Sequence, residues 1–255
     1  MPTPSERGQQ IAAITDRLSS SFVNELKIIL RDMDRRLRTL VLEETTGAAL
    51  TASRVLVLKR QLRELLRRTG YDLLAFTAVD AGVEAFVASY VGAHGEAARE
   101  LIASAAGRLD AMRMLALQDL LGKGDEVATA LWRSVMQATF TGRPVSDILA
   151  DLDSALDVGE GRIGTLFDTE MSIYGRAVEA VGAEDLPDDQ LFRYVGPNDS
   201  KTREFCAEWI DKELTRDEID ELDNEQLPDV FLTAGGYNCR HSWIAVERES
   251  GTLTS

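Results

Sequence analysis

A missing residue type limits this fold more than any residue present. The six prolines are Pro2, Pro4, Pro144, Pro187, Pro197 and Pro228, so positions 5–143 contain none. That stretch is rich in Ala, Leu, Arg and Glu, which lose little rotamer freedom in a helix, and no ring interrupts the backbone ladder. Its apolar residues agree. Ile11, Ile14, Leu18, Phe22, Leu26, Ile29, Met33, Leu37 and Leu40 recur every three or four positions, which is one stripe along a single long helix. Glycines at 47, 70, 92, 95, 122, 124 and 142 read as stops. They predict helices over 6–45, 51–69, 72–91, 95–121 and 125–140, with Thr51, Asp72 and Asp125 as N-caps. Gly122-Lys123-Gly124 then reads as an interhelical turn, and His94 as a surface residue beside glycines. Two more helices are expected over 146–156 and 161–181.

After Gly182 the pattern changes. Residues 191–195 alternate as a strand and a Gly-Pro-Asn-Asp turn closes it. Residues 202–209 read as a short helix, and Thr215 with Glu218 as a capping box opening a helix over 216–222. Gly235-Gly236 breaks the chain before a strand over 237–246. The expectation is a mainly α protein with a small α+β C-terminal domain. An elongated helical region covers 1–143 and the C-terminal domain 144–255.

Charge divides the chain the same way. Over 255 residues the net charge is −15, yet residues 184–229 hold 16 acidic against 5 basic side chains. Residues 24–71 instead carry 11 basic against 6 acidic, among them Arg31, Arg35, Arg36, Arg38, Arg60, Arg63 and Arg67. A basic helical front and an acidic back suit a component that meets two different surfaces; those arginines are the candidate partner or DNA contacts. The overall acidity excludes the whole surface as a nucleic-acid glove, because phosphate contacts need clustered Lys and Arg. No uncharged apolar run approaches the ~20 residues of a membrane helix, and the polar Met1–Gln10 segment does not resemble a secretory leader.

Chemistry-bearing residues are few: His94, His241, Cys206 and Cys239. Nucleophile-elbow, HExxH and Walker patterns are absent from the sequence. On a strand Cys239 and His241 would face one way, Cys206 would add a third donor, and Asp199 offers an oxygen as the fourth. Zinc takes such ligands, and a staple would help a segment too small to build much core. Two other readings stand beside it: buried free thiols with His241 bonded to backbone, or a Cys206–Cys239 disulfide, which a cytosolic setting disfavours. A Cys239–His241 catalytic dyad lacks an orienting group and an oxyanion hole.

Three segments carry a resemblance: TLFDTE (165–170), FRYVGPNDSKTREFC (192–206) and GGYNCRHSW (235–243). Together they resemble tailed-phage minor head proteins of the Mu F-like head-morphogenesis family. The matching positions are Asp199, Thr202, Cys206, Asn238, Cys239, Arg240 and His241. Two departures stand out: Arg203 occupies the first position of what is a Cys-x-x-Cys pair in many relatives, and no histidine lies between 207 and 240. The resemblance implies a non-enzymatic virion component in the head interior or portal and neck region, present in the host cytoplasm during assembly. Its partners would be the portal protein and the inner surface of the major capsid or scaffold, with packaged DNA a further contact and several copies per virion. It would act in head assembly and in genome packaging or delivery, with structural zinc as the cofactor to test. The competing classes are a phage-borne effector enzyme and a zinc-stapled nucleic-acid-binding module.

Overall fold

A computed structural model describes residues 2–45, 52–141, 145–184 and 186–246. Six helices come first: α1 (Pro4–Thr45), α2 (Ala52–Arg68), α3 (Tyr71–His94), α4 (Glu96–Ser104), α5 (Ala106–Phe140) and α6 (Val145–Val181). Then follow β1 (Leu191–Val195), α7 (Glu204–Trp209), β2 (Glu213–Thr215), α8 (Arg216–Asp220), α9 (Val230–Thr233) and β3 (Ser242–Ala245). The chain is mainly α with a small antiparallel sheet near its C-terminal end, ordered β2-β1-β3.

Two compact units share these elements. The second comprises Leu18–Asp80 and Leu115–Phe167, and its elements among the described residues are all helices. Its core follows the stripe of α1, with Phe22, Leu26, Met33 and Leu37 buried and Leu30 taking the place expected of Ile29. Phe22 stacks on Phe167 of α6 at 4.0 Å between ring centres. Tyr71 is buried too, and its hydroxyl donates to the Leu120 carbonyl at 2.6 Å.

Glycine reads differently in the folded chain. Helix α5 runs unbroken through Gly122-Lys123-Gly124, so the predicted turn there is wrong. A Cβ on Gly124 would stand 2.4 Å from the Tyr71 ring: the glycine lets two helices approach rather than ending one. Gly159 does the same against Val127, and α6 is continuous where two helices were expected. The real break falls at Ala105, where no glycine marks it. Asp125 lies inside α5 and pairs with Arg63 instead of capping. Thr51, Gly47, Gly142 and the Pro144 boundary lie outside the described residues.

The first unit comprises Met1–Arg17, Ala81–Met114 and Asp168–Ser255. The start of α1 belongs to it through a buried cation: the Arg7 guanidinium bonds Glu179 of α6 and donates to Ser89 Oγ of α3 at 2.7 Å. Helix α3 is, among the described residues, the one helix long and apolar enough to cross a membrane by length and composition. Phe86 and Tyr90, from its C-terminal half, are buried in this unit.

The small sheet sits at the C-terminal end of this unit. Tyr194 pairs with Trp243 in register, and Phe192 with Leu214 and Ala245. Phe192, Tyr194, Cys206, Ile219, Phe231 and Trp243 form its apolar core. The capping box forms as expected, Thr215 and Glu218 satisfying each other's backbone amides. Strand β3 is shorter than predicted, so Cys239 and His241 precede it in irregular backbone rather than lying on the strand.

Candidate metal centre

The three donors come from two segments of the C-terminal part. Cys206 sits in α7, held there by a turn in which Thr202 Oγ1 accepts from Asp199 N at 2.9 Å and donates to the Pro197 carbonyl at 3.1 Å. Cys239 and His241 follow the Gly235-Gly236 break. All three are buried, each 2% exposed.

They meet closely. Cys206 Sγ and Cys239 Sγ are 3.7 Å apart and unbonded, and Cys239 Sγ lies 3.7 Å from His241 Nδ1. The three donor atoms lie within 4.8 Å of one another and could hold a metal ion. The Gly235 amide donates to Cys239 Sγ at 3.2 Å. Gly235 has to be glycine: a Cβ there would come within 2.4 Å of Cys206 Sγ. The donor set fits a zinc-type ion, because two sulfurs and an imidazole nitrogen are what such an ion selects. His241 does not bond the backbone through its ring, as one reading expected; its Nε2 is buried without a partner.

The sulfurs are electrostatically unequal. The Cys206 thiol donates to Cys239, which holds the Cys239 thiol well below its ordinary value, helped by His241 and Arg176, while burial and Cys239 push Cys206 up.

Arg176 of α6 organises the backbone around the donors. Its Nε donates to the His241 carbonyl at 2.8 Å, Nη1 to Leu232 O at 2.9 Å, and Nη2 to Cys239 O. Nothing in the cysteine and histidine pattern pointed to it. A usable signal existed: Thr169, Ser172, Arg176 and Glu179 recur at helical spacing, so α6 carries a polar stripe. The first three are buried. Thr169 Oγ1 accepts from Asn238 N at 3.1 Å.

Asp199 does not join the donors. Its Oδ1 accepts from Arg240 at 2.7 Å and from the Lys201 amide at 2.9 Å, and Arg240 pulls its carboxyl down to about 2. A fully ionised, ion-paired and exposed carboxylate has little to gain from a buried cation. Its place in the motif is to tie the 196–202 turn to Arg240.

The candidate surface arginines are mostly paired. Arg35 and Arg36 meet Asp32, Arg38 meets Asp34 and Asp153, Arg63 meets Asp125 and Arg67 meets Glu64. Arg31 lines a cleft with Asp34, Asp153, Asp157 and Glu160. Arg60 lines a groove of about 550 Å³ with Arg36 and Arg68, between α1 and α2. His94 is exposed, against the Tyr90 ring. The chain matches none of the family models, curated proteins or solved structures with which it was compared.

Proposed function

We propose that this chain is a non-catalytic minor head protein of the Mu F-like head-morphogenesis type, whose C-terminal part is stapled by zinc through Cys206, Cys239 and His241. One observation supports the reading above all. The three separated segments that carry the resemblance come together: 165–170 through Thr169 and Asn238, 192–206 through Cys206, and 235–243 through Cys239 and His241.

Burial supports a structural role for the centre. A nucleophile or a catalytic metal has to be reached by substrate, whereas these donors are each 2% exposed. The pairing of Arg35, Arg36, Arg38, Arg63 and Arg67 with carboxylates lowers the charge free for phosphate and favours protein over DNA as the partner of the helices. In this reading the helices attach to the portal or the inner capsid surface, in the head interior or neck, with no membrane involved. Zinc then staples α7 to the segment before β3, beside the apolar core of the small sheet.

Mass spectrometry of purified particles tests the reading, with the chain expected as a low-copy component. Co-expression with the portal and a pull-down titrated with salt tests the partner. Absence from particles, or no association at any ionic strength, overturns it. Toxicity on expression, abolished by Cys239→Ala, would favour the effector reading instead.

A further inference from the structure

We propose that Tyr194 Oη is the fourth donor of the metal centre, making it a closed site of two sulfurs, one nitrogen and one oxygen. This rests on the zinc reading above and supplies the ligand that the cysteine and histidine count leaves missing.

The geometry carries it. Around a tetrahedral ion, thiolates at about 2.3 Å and nitrogen or oxygen donors at about 2.0 Å place two sulfurs about 3.8 Å apart, and a sulfur about 3.5 Å from a lighter donor. The Sγ–Sγ separation is 3.7 Å and Cys239 Sγ to His241 Nδ1 is 3.7 Å. Tyr194 Oη lies 3.5 Å from Cys206 Sγ and 3.6 Å from Cys239 Sγ. These are four of the six edges of such a tetrahedron, each within about 0.2 Å of its ideal length. The phenol oxygen faces both sulfurs, so an ion held between them lies within its reach.

The fold holds Tyr194 where a ligand must be held. It is on the central strand, fully buried, with Asp211 N donating to its carbonyl at 2.9 Å and its own amide donating to Lys212 O at 3.0 Å. Its ring lies nearly parallel to the His241 imidazole at 5.3 Å and against Trp243 at 4.6 Å, so the oxygen cannot swing away. Asp199, the oxygen donor suggested by sequence, is occupied by Arg240.

The test uses the full chain, stripped with a chelator and reloaded with Co²⁺ alone as the spectroscopic probe. The wild-type protein is expected to show a tetrahedral ligand-field spectrum with thiolate charge transfer that added thiocyanate does not change. Tyr194→Phe, which removes only the oxygen, should still bind Co²⁺ but weaken it by about tenfold or more in chelator competition, and its spectrum should shift with thiocyanate. A wild-type spectrum that responds to thiocyanate overturns the proposal without need of any variant. So does a Tyr194→Phe protein, folded by circular dichroism, whose affinity and spectrum match the wild type. Failure of the wild type to bind Co²⁺, or binding that survives Cys239→Ser with Cys206→Ser, overturns the zinc reading itself and is distinguishable from both.

Discussion

The all-helical unit and the C-terminal part of the other unit solve the problem of staying folded in opposite ways. In the helical unit nearly every stabilising contact repeats: a leucine or aromatic every three or four residues, with surface ion pairs one helical turn apart. In the C-terminal part almost nothing repeats. Its helices have four to six residues, and its strands three to five. All five non-glycine residues with positive φ among the described residues fall between Asp211 and Asn238. Each such residue costs of order 1 kcal/mol or more, so the segment persists only where long-range bonds over-determine it. Repetition makes a fold robust and featureless. Over-determination makes one that concentrates chemistry at a point.

Metal removal should separate the two most sharply. Chelation of the zinc-loaded protein is expected to unfold the C-terminal part, seen through Trp209 and Trp243, before Trp132 in the helical unit responds; simultaneous loss at all three would erase the contrast. Next comes Arg176→Met, which strands the carbonyls of His241, Leu232 and Cys239 and should cost about 3–5 kcal/mol in urea unfolding together with metal affinity. Phe22→Ala, in the helical core, should cost about 3 kcal/mol and leave metal affinity untouched. Glu225→Gly relieves a positive φ of 57° at an exposed site and should stabilise by about 0.5–1 kcal/mol, whereas glycine in a helix interior destabilises. The smallest effect is electrostatic. Asp199 ionises near 2 in the folded chain against 3.8 ordinarily, so its contribution is complete above about pH 4 and fades as pH falls towards 2. Asp199→Asn should flatten that part of an acid-unfolding curve.

The same contrast explains what could be read from the chain. Periodicity revealed α1 over nearly its whole length because burial there is set by local spacing alone. The glycine stops failed at Gly92, Gly122 and Gly124, which lie inside helices; Gly124 answers to Tyr71 of a neighbouring helix that no local window contains. Thr215 with Glu218 was legible because a capping box is a contact three residues long. Strand β2 and helix α9 went unseen, and they exist through register with β1 and through long-range bonds. At the centre, Cys206, Cys239 and His241 were named by chemistry. Arg176 and Tyr194 looked like any helix arginine and any strand aromatic until folding brought them within reach.

The buried contact between Arg7 and Glu179, 172 positions apart, sets an order of events. During synthesis the segments 18–80 and 115–167 have both left the ribosome well before β3 is made, so the helical unit can be complete while its neighbour is still missing its last pieces. The partners of Arg7, Ser89 of α3 and Glu179 of α6, are likewise made before the first strand. The head of α1 is therefore held before the small sheet is complete, and loss of β3 would leave the Arg7 contacts with Ser89 and Glu179 in place.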